Sequence, residues 1–213
     1  GLSYHLKTLT EGKTIRFTLD NSEPLLSSKI YTNSILLKES VHVKAALFNS
    51  SNKLGETFSQ YINLHKAVGQ KIAIDTELNE SYAGSGAQGL INGISGSNSR
   101  YGDKEWLGFS GKDIEITIDF NEKIQINSIK TRFYNGRGQW IYAPKHIFIT
   151  FNNEEPVKVT ILDSEDLVVP VNFQGHDDVK HLSFTIPNYG VISDGKQGAG
   201  NKAWTFIDEI IIN

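Results

Sequence analysis

The stretch Trp204-Thr205-Phe206-Ile207-Asp208-Glu209-Ile210-Ile211-Ile212 ends the chain in an apolar run interrupted by two acids, and its reading decides the fold. A glycine-rich approach leads into it, Gly195-Lys196-Gln197-Gly198-Ala199-Gly200-Asn201-Lys202-Ala203. The apolar residues do not alternate cleanly, which predicts a strand buried on both faces over part of its length. A carboxylate set in such a run is costly to bury unless a cation or hydrogen-bond donors meet it. Glu209 therefore asks for a partner; the competing reading sends it to solvent from an edge strand. Alternation places Asp208 and Glu209 on opposite faces of that strand.

Working back from this end, the chain is strand after strand. Ile114–Phe120 and Ile124–Tyr134 alternate, and Ile147–Phe151, Val157–Leu162, Leu167–Phe173 and Leu182–Ile186 follow. Long glycine- and serine-rich loops separate them, notably Ala83–Tyr101 and Tyr189–Lys202. Strands carry such a fold, and loops at its ends carry its function. Before the polar junction His65-Lys66-Ala67-Val68-Gly69 the strands are shorter. Thr14–Leu19, Val41–Phe48 and Glu56–Leu64 alternate, the last with Phe58, Tyr61 and Leu64 as apolar anchors, and Asp20-Asn21-Ser22-Glu23-Pro24 is a turn cluster. No convincing amphipathic helix occurs among these short strands. The expectation is an all-β chain of two domains. Residues 1–65 form a small immunoglobulin- or fibronectin-like sandwich, and residues 67–213 form a galactose-binding-like jelly-roll sandwich.

Composition narrows the function. The 213 residues carry a net charge of -3, so no excess of basic residues draws the chain to nucleic acid or an acidic membrane surface. No apolar run approaches the ~20 residues of a membrane span. The chain has no cysteine, which removes disulfides, thiolate metal sites and a cysteine nucleophile. Six scattered histidines lack H-x-x-H or H-E-x-x-H spacing, and no G-x-S-x-G or phosphate-binding loop is present. Asp208-Glu209 is an adjacent acid pair of the kind that glycoside hydrolysis draws on, but the chain lacks the strand–helix alternation of a catalytic barrel. The absence of methionine and the start inside a strand read as a piece of a longer protein.

Two resemblances sharpen this. Phe17-Thr18-Leu19-Asp20-Asn21-Ser22-Glu23-Pro24, Ser27 or Ser28, Tyr31, and Val43-Lys44-Ala45 with Phe48 resemble the chitobiase/β-hexosaminidase C-terminal domain. Asn21 replaces that family's usual glycine, and both residues tolerate a left-handed turn. The second half resembles the discoidin, or factor five/eight type C, domain, the fold of family 32 carbohydrate-binding modules. Leu90-Ile91-Asn92-Gly93, Trp106-Leu107-Gly108-Phe109, Ile116–Phe120, Ile126–Ile129 and Phe206–Ile210 carry it. Gln139–Lys145 and Gly198–Trp204 look like the copies found after hexosaminidase catalytic domains. The tandem order is similar to the C-terminal region of Bacteroidetes-type family 20 glycoside hydrolases.

These resemblances imply a non-catalytic accessory region of a secreted, periplasmic or outer-surface β-N-acetylhexosaminidase-like enzyme. Its implied partners are the parent's catalytic barrel and a glycan of N-acetylhexosamine or galactose type. Two alternatives remain, a structural spacer without glycan binding and the tail of another exo-glycosidase such as an α-L-fucosidase. The second resemblance also implies a structural calcium held by Asn92, Ser95 or Ser97 with their carbonyls, and Glu209; a hydrogen-bonded loop clamp without metal is the alternative. For sugar binding, pyranose C–H faces pack on aromatics while polar side chains meet hydroxyls. Tyr101 with Arg100 and Asp103, Arg137 with Trp140 as platform or plug, and Tyr189 are the candidates, whereas Trp106 and Trp204 read as core.

Overall fold

A computed structural model describes residues 1–213. The chain divides into two units, Gly1–His65 and Lys66–Asn213, and all regular structure beyond three short 3-10 turns is strand.

In the first unit, strands β1 (Leu2–Tyr4) and β4 (Ile35–Leu37) form a ribbon, while β2 (Thr14–Thr18), β3 (Lys29–Ile30), β5 (Val41–Phe48) and β6 (Lys53–Ile62) form a sheet in the order β3-β2-β5-β6. Asn21 takes the left-handed conformation at φ 65°. Beside it, Asp20 Oδ1 accepts from the Ser22 N–H at 3.1 Å and the Ser22 hydroxyl at 2.6 Å, which closes the turn. Glu23 accepts from Lys44 Nζ at 2.8 Å and Thr57 Oγ1 at 2.6 Å, and Lys53 lies 3.4 Å away. Lys44, then Thr57, pull its carboxyl down to about 2, so the turn is tied to β5 and β6 by charge. One expectation fails on β6. Phe58 and Tyr61 are 48% and 46% exposed, and Ile62 is the residue that is buried. The cause is position: β6 is the edge of its sheet and has no further strand to pack beside it.

The second unit holds β7 (Lys71–Ile74), β8 (Leu107–Ser110), β9 (Ile114–Tyr134), β10 (His146–Phe151), β11 (Val157–Thr160), β12 (Val168–Ile186), β13 (Trp204–Ile207) and β14 (Ile211–Ile212). The runs 114–120 and 124–134 are one strand, as are 167–173 and 182–186. β9 and β12 stay paired from Tyr134↔Val168 to Ile114↔Ile186, with register shifts between His176 and His181. One half of this pair is flanked by β10, β11 and β7, the other by β13, β14 and β8. The two long strands therefore run through both layers of a jelly-roll-like sandwich.

Burial shows how. In β9 the alternating buried positions are Ile114, Ile116, Ile118, Phe120 and Ile126, then Ile129, Thr131 and Phe133, with Tyr134 buried beside the last. In β12 they are Val169, Val171, Phe173 and Val179, then Leu182, Phe184 and Ile186. A period-two strand that changes register by one residue turns its apolar face over. Each strand does so once at the bend, and each apolar face keeps to the same core. Every fully buried Ile, Leu or Phe there contributes roughly 1.5–3 kcal/mol. No helix is long and apolar enough to cross a membrane.

The bend leaves no room at Gly175, where an added Cβ would lie 1.7 Å from the carbonyl oxygen of Ile126. Gly175→Ala must push two backbones apart, at a cost of about 3 kcal/mol or more. A thermal melt should show Tm lowered by about 10 °C; an unchanged Tm would mean the strands are not locked together at this corner.

Candidate functional site

The closing stretch is not one strand. β13 leaves Ile207 opposite Phe133, and β14 resumes with Ile211 opposite Lys130, so three residues, Asp208 to Ile210, face two on β9. This is a one-residue bulge. It overturns the alternation expected for Asp208 and Glu209: both are buried, at 0% and 1% exposure, and both reach the loop that follows Leu90. Glu209 does not point to solvent from an edge. The Ile210 N–H leaves the sheet and donates to the Leu90 carbonyl at 2.6 Å.

Each acid holds one glycine amide of that loop. The Gly93 N–H donates to Glu209 Oε1 at 2.8 Å, and the Gly96 N–H donates to Asp208 Oδ2 at 2.9 Å. Arg132, on β9 beside the bulge, grips Asp208 through Nε at 3.0 Å and through Nη2. The same guanidinium donates to the Gly96 carbonyl at 2.9 Å and to Asn98 Oδ1 at 2.7 Å, and stands 5.5 Å from the Trp106 ring. Trp106 is fully buried, as expected, and its Nε1 donates to the Ser97 carbonyl at 3.0 Å. Gly96 must lack a side chain, because a Cβ there would sit 2.4 Å from that nitrogen. Arg132 was not singled out in the sequence; it lies in an alternating strand and carries no local signal.

Burial pushes the Asp208 carboxyl up, against Arg132 and the Gly96 amide, which pull it down. A third buried acid, Glu105, is 6% exposed and accepts from Asn92 Nδ2 at 3.1 Å. Asn92 Oδ1 accepts from the Ile94 N–H at 2.7 Å. Ser95 is exposed, and the Ser97 hydroxyl faces Ser99 at 3.2 Å. Of the expected calcium ligands, Glu209 holds the amide of Gly93, next in the chain to Asn92, whose own side chain is bonded to Glu105 and Ile94. No three acids or histidines converge anywhere, so any hard cation here would take most of its oxygens from amide, hydroxyl and carbonyl groups.

The expected sugar ligands separate into two places. Asp103 turns into its own loop, accepting from the N–H groups of Ser97 at 2.7 Å, Glu105 at 3.1 Å and Trp106 at 3.3 Å. Tyr101 packs edge-on against Phe206 at 5.2 Å and Tyr134 at 5.5 Å, while Arg100 is exposed. Trp204 is half-buried beside Tyr82 and Phe206, so the core role expected for it is only partly met.

Arg137 and Tyr189 come together. Both line a pocket of about 190 Å³ with Asn135, Tyr142, Lys145 and Asp163. Buried Asn135 shapes one wall by donating to the Ser164 carbonyl at 2.8 Å and the Asp166 carbonyl at 3.2 Å. Arg137 donates to Glu165 Oε1 at 2.6 Å, to the Ser164 carbonyl at 2.7 Å and to Asp163. Tyr142 lies against Tyr189 with ring centroids 4.6 Å apart. Trp140 sits on the adjoining turn, 38% exposed, with its backbone left-handed at φ 64°, ψ 21°. Its indole rests on Gly198, where a Cβ would lie 2.5 Å from Trp140 Cδ1.

Residues 2–59 match the family model of the chitobiase/β-hexosaminidase C-terminal domain. None of the curated proteins searched matches the chain. Among solved structures, a Streptococcus pneumoniae fucose binding module is similar at 11% identity and TM-score 0.44, covering 70% of this chain and 94% of that one. The lectin domain of lectinolysin, complexed with Lewis B antigen, is similar at 12% identity and TM-score 0.44, covering 70% and 96%. A chitosan-binding module from a Paenibacillus chitosanase/glucanase is similar at 12% identity and TM-score 0.39, covering 71% and 99%. Likeness at these values assigns no ligand to this chain.

Arg132→Met strands Asp208 in the core. Its carboxyl then rises further and protonates in the native state. An acid whose native pKa lies above its unfolded value, 3.8 here, stabilises the fold while protonated and loses that contribution as pH rises. The variant's loss of stability should therefore be small near pH 4 and reach about 2–3 kcal/mol at pH 7, discounted for the partial exposure of Arg132. Urea melts across that range test it; a penalty that shrinks with rising pH would contradict the clamp.

Proposed function

We propose that the chain is a non-catalytic accessory region of a glycoside hydrolase of the β-N-acetylhexosaminidase kind, exported from the cell, and that its second unit binds glycan. The family match over residues 2–59 supports the first part. The observation that carries the second is Trp140. An aromatic residue held in the left-handed region costs of order 1–3 kcal/mol and persists where surrounding structure imposes it, commonly at ligand sites. Here the left-handed backbone sets a partly exposed indole against Gly198, on the turn that starts at the pocket residue Arg137. A sugar ring would pack its C–H face on the indole while Tyr189 and Asp163 meet its hydroxyls and Arg137 holds the wall. The Asp208-Glu209 pair takes no part in chemistry in this reading, because both acids are spent on loop amides.

Calcium belongs to the same proposal. Glu209 and Glu105 would supply charge, and Asn92, with the hydroxyls and carbonyls at Ser95 and Ser97, the remaining oxygens. Bound there, the ion would add rigidity to the loop that Arg132 already holds.

Titration of the purified chain with galactose, N-acetylglucosamine and N-acetylgalactosamine tests the first claim. Trp140→Ala should weaken binding at least ten-fold and move Tm by no more than a few degrees; uniform silence of the unaltered protein would favour the spacer. For the ion, a melt with calcium at a hundred times its Kd should gain about 2.7 kcal/mol over one with chelator. Glu209→Gln should erase that gain, and a Tm indifferent to both additives would remove calcium from the site.

A further inference from the structure

Three cations, Arg137, Lys145 and Lys196, stand at the two tyrosines of this pocket, the first two in its lining, and their pairing is uneven. Arg137 has its charge met by Asp163 and Glu165. The two lysines do not. Lys145 Nζ lies 4.4 Å from the centre of the Tyr189 ring, and Lys196 Nζ lies 6.0 Å from that of Tyr142. Neither forms an ion pair, and both side chains are exposed. Two ammonium groups thus stand over a tyrosine pair whose rings are 4.6 Å apart, with no carboxylate of the protein answering them.

Resting on the glycan-binding reading above, we infer that the sugar taken by this pocket is anionic, a pyranose carrying a carboxylate or a sulfate that meets Lys145 at the pocket wall, with Lys196 adding to the same positive field. The remaining chemistry fits such a ring. The partly exposed Trp140 indole offers the C–H face a platform, and the exposed carboxylates of Asp163 and Glu165, whose charge Arg137 meets, accept from hydroxyls. A pocket of about 190 Å³ lies below the ~300–1,000 Å³ of ordinary ligand pockets and admits one ring rather than several. The lysine side chains hold their positions through the tyrosine faces, so the anion meets charges already in place.

The contribution of two exposed cations is modest and screened by salt. Binding of galacturonate and of galactose 6-sulfate should each be measured against galactose at 20 mM and 500 mM sodium chloride. The expected result is that at least one anionic sugar binds about five-fold or more tighter than galactose at low salt, and that the advantage falls away at high salt. The tighter of the two identifies carboxylate or sulfate. In the Lys145→Ala/Lys196→Ala variant all three sugars should bind alike, while Lys145→Arg/Lys196→Arg should keep the preference. Galactose bound as tightly as both anions, or a preference untouched by salt or by removal of the lysines, would overturn the anionic assignment and leave glycan binding standing. Failure of the unaltered protein to bind any sugar would overturn both.

Discussion

A carboxylate buried without a partner is among the least tolerable features a fold can contain, and the second unit is arranged around two adjacent ones. Asp208 and Glu209 could not both be answered from a regular strand, since neighbouring side chains leave opposite faces. The extra residue between β13 and β14 removes that conflict and turns both acids toward one loop. From this follow the glycines at 93 and 96, whose amides the acids hold, the cation at 132, and the indole of Trp106 against Gly96. A coil of small polar residues thereby becomes as fixed as the sheet below it.

The same economy is visible at the pocket. Its walls are loops, yet little in them is free. Asn135 orders residues 164–166 through two donors, Arg137 pins the same turn by charge, and Trp140 is laid on Gly198 by a left-handed backbone. Loops are ordinarily the mobile part of a sandwich. Here side chain to backbone bonds hold the loops around the pocket in shape. Arg137 illustrates the trade: a residue suited to grip a ligand spends its donors holding the wall instead.

Most of the strand pattern was legible because period-two alternation is local. Val41–Phe48 is the strand the residues predict, and Asn21 takes the conformation that the turn chemistry requires. Failures came where register changes. Two pairs of predicted strands are single strands bent through both layers, and the bulge at 208–210 reverses the side on which one acid lies. Phe58 and Tyr61 look like core residues from spacing, but an edge strand has no neighbour to bury them. Asp103 reads as a loop ligand because its polarity is visible in sequence, whereas the three amides that occupy it are not.

Sequence alone determined that this chain is all-β in two bodies, which residues form most of the strands, and that Glu209 demands a partner, because each of these depends on neighbours along the chain or on the cost of burying charge. Only the tertiary structure decided that Arg132, 76 residues before Asp208, answers the neighbouring acid, and that Trp140 lies open while Trp106 lies closed. Those outcomes depend on which surfaces meet after the strands bend, and nothing in the order of residues records the bend.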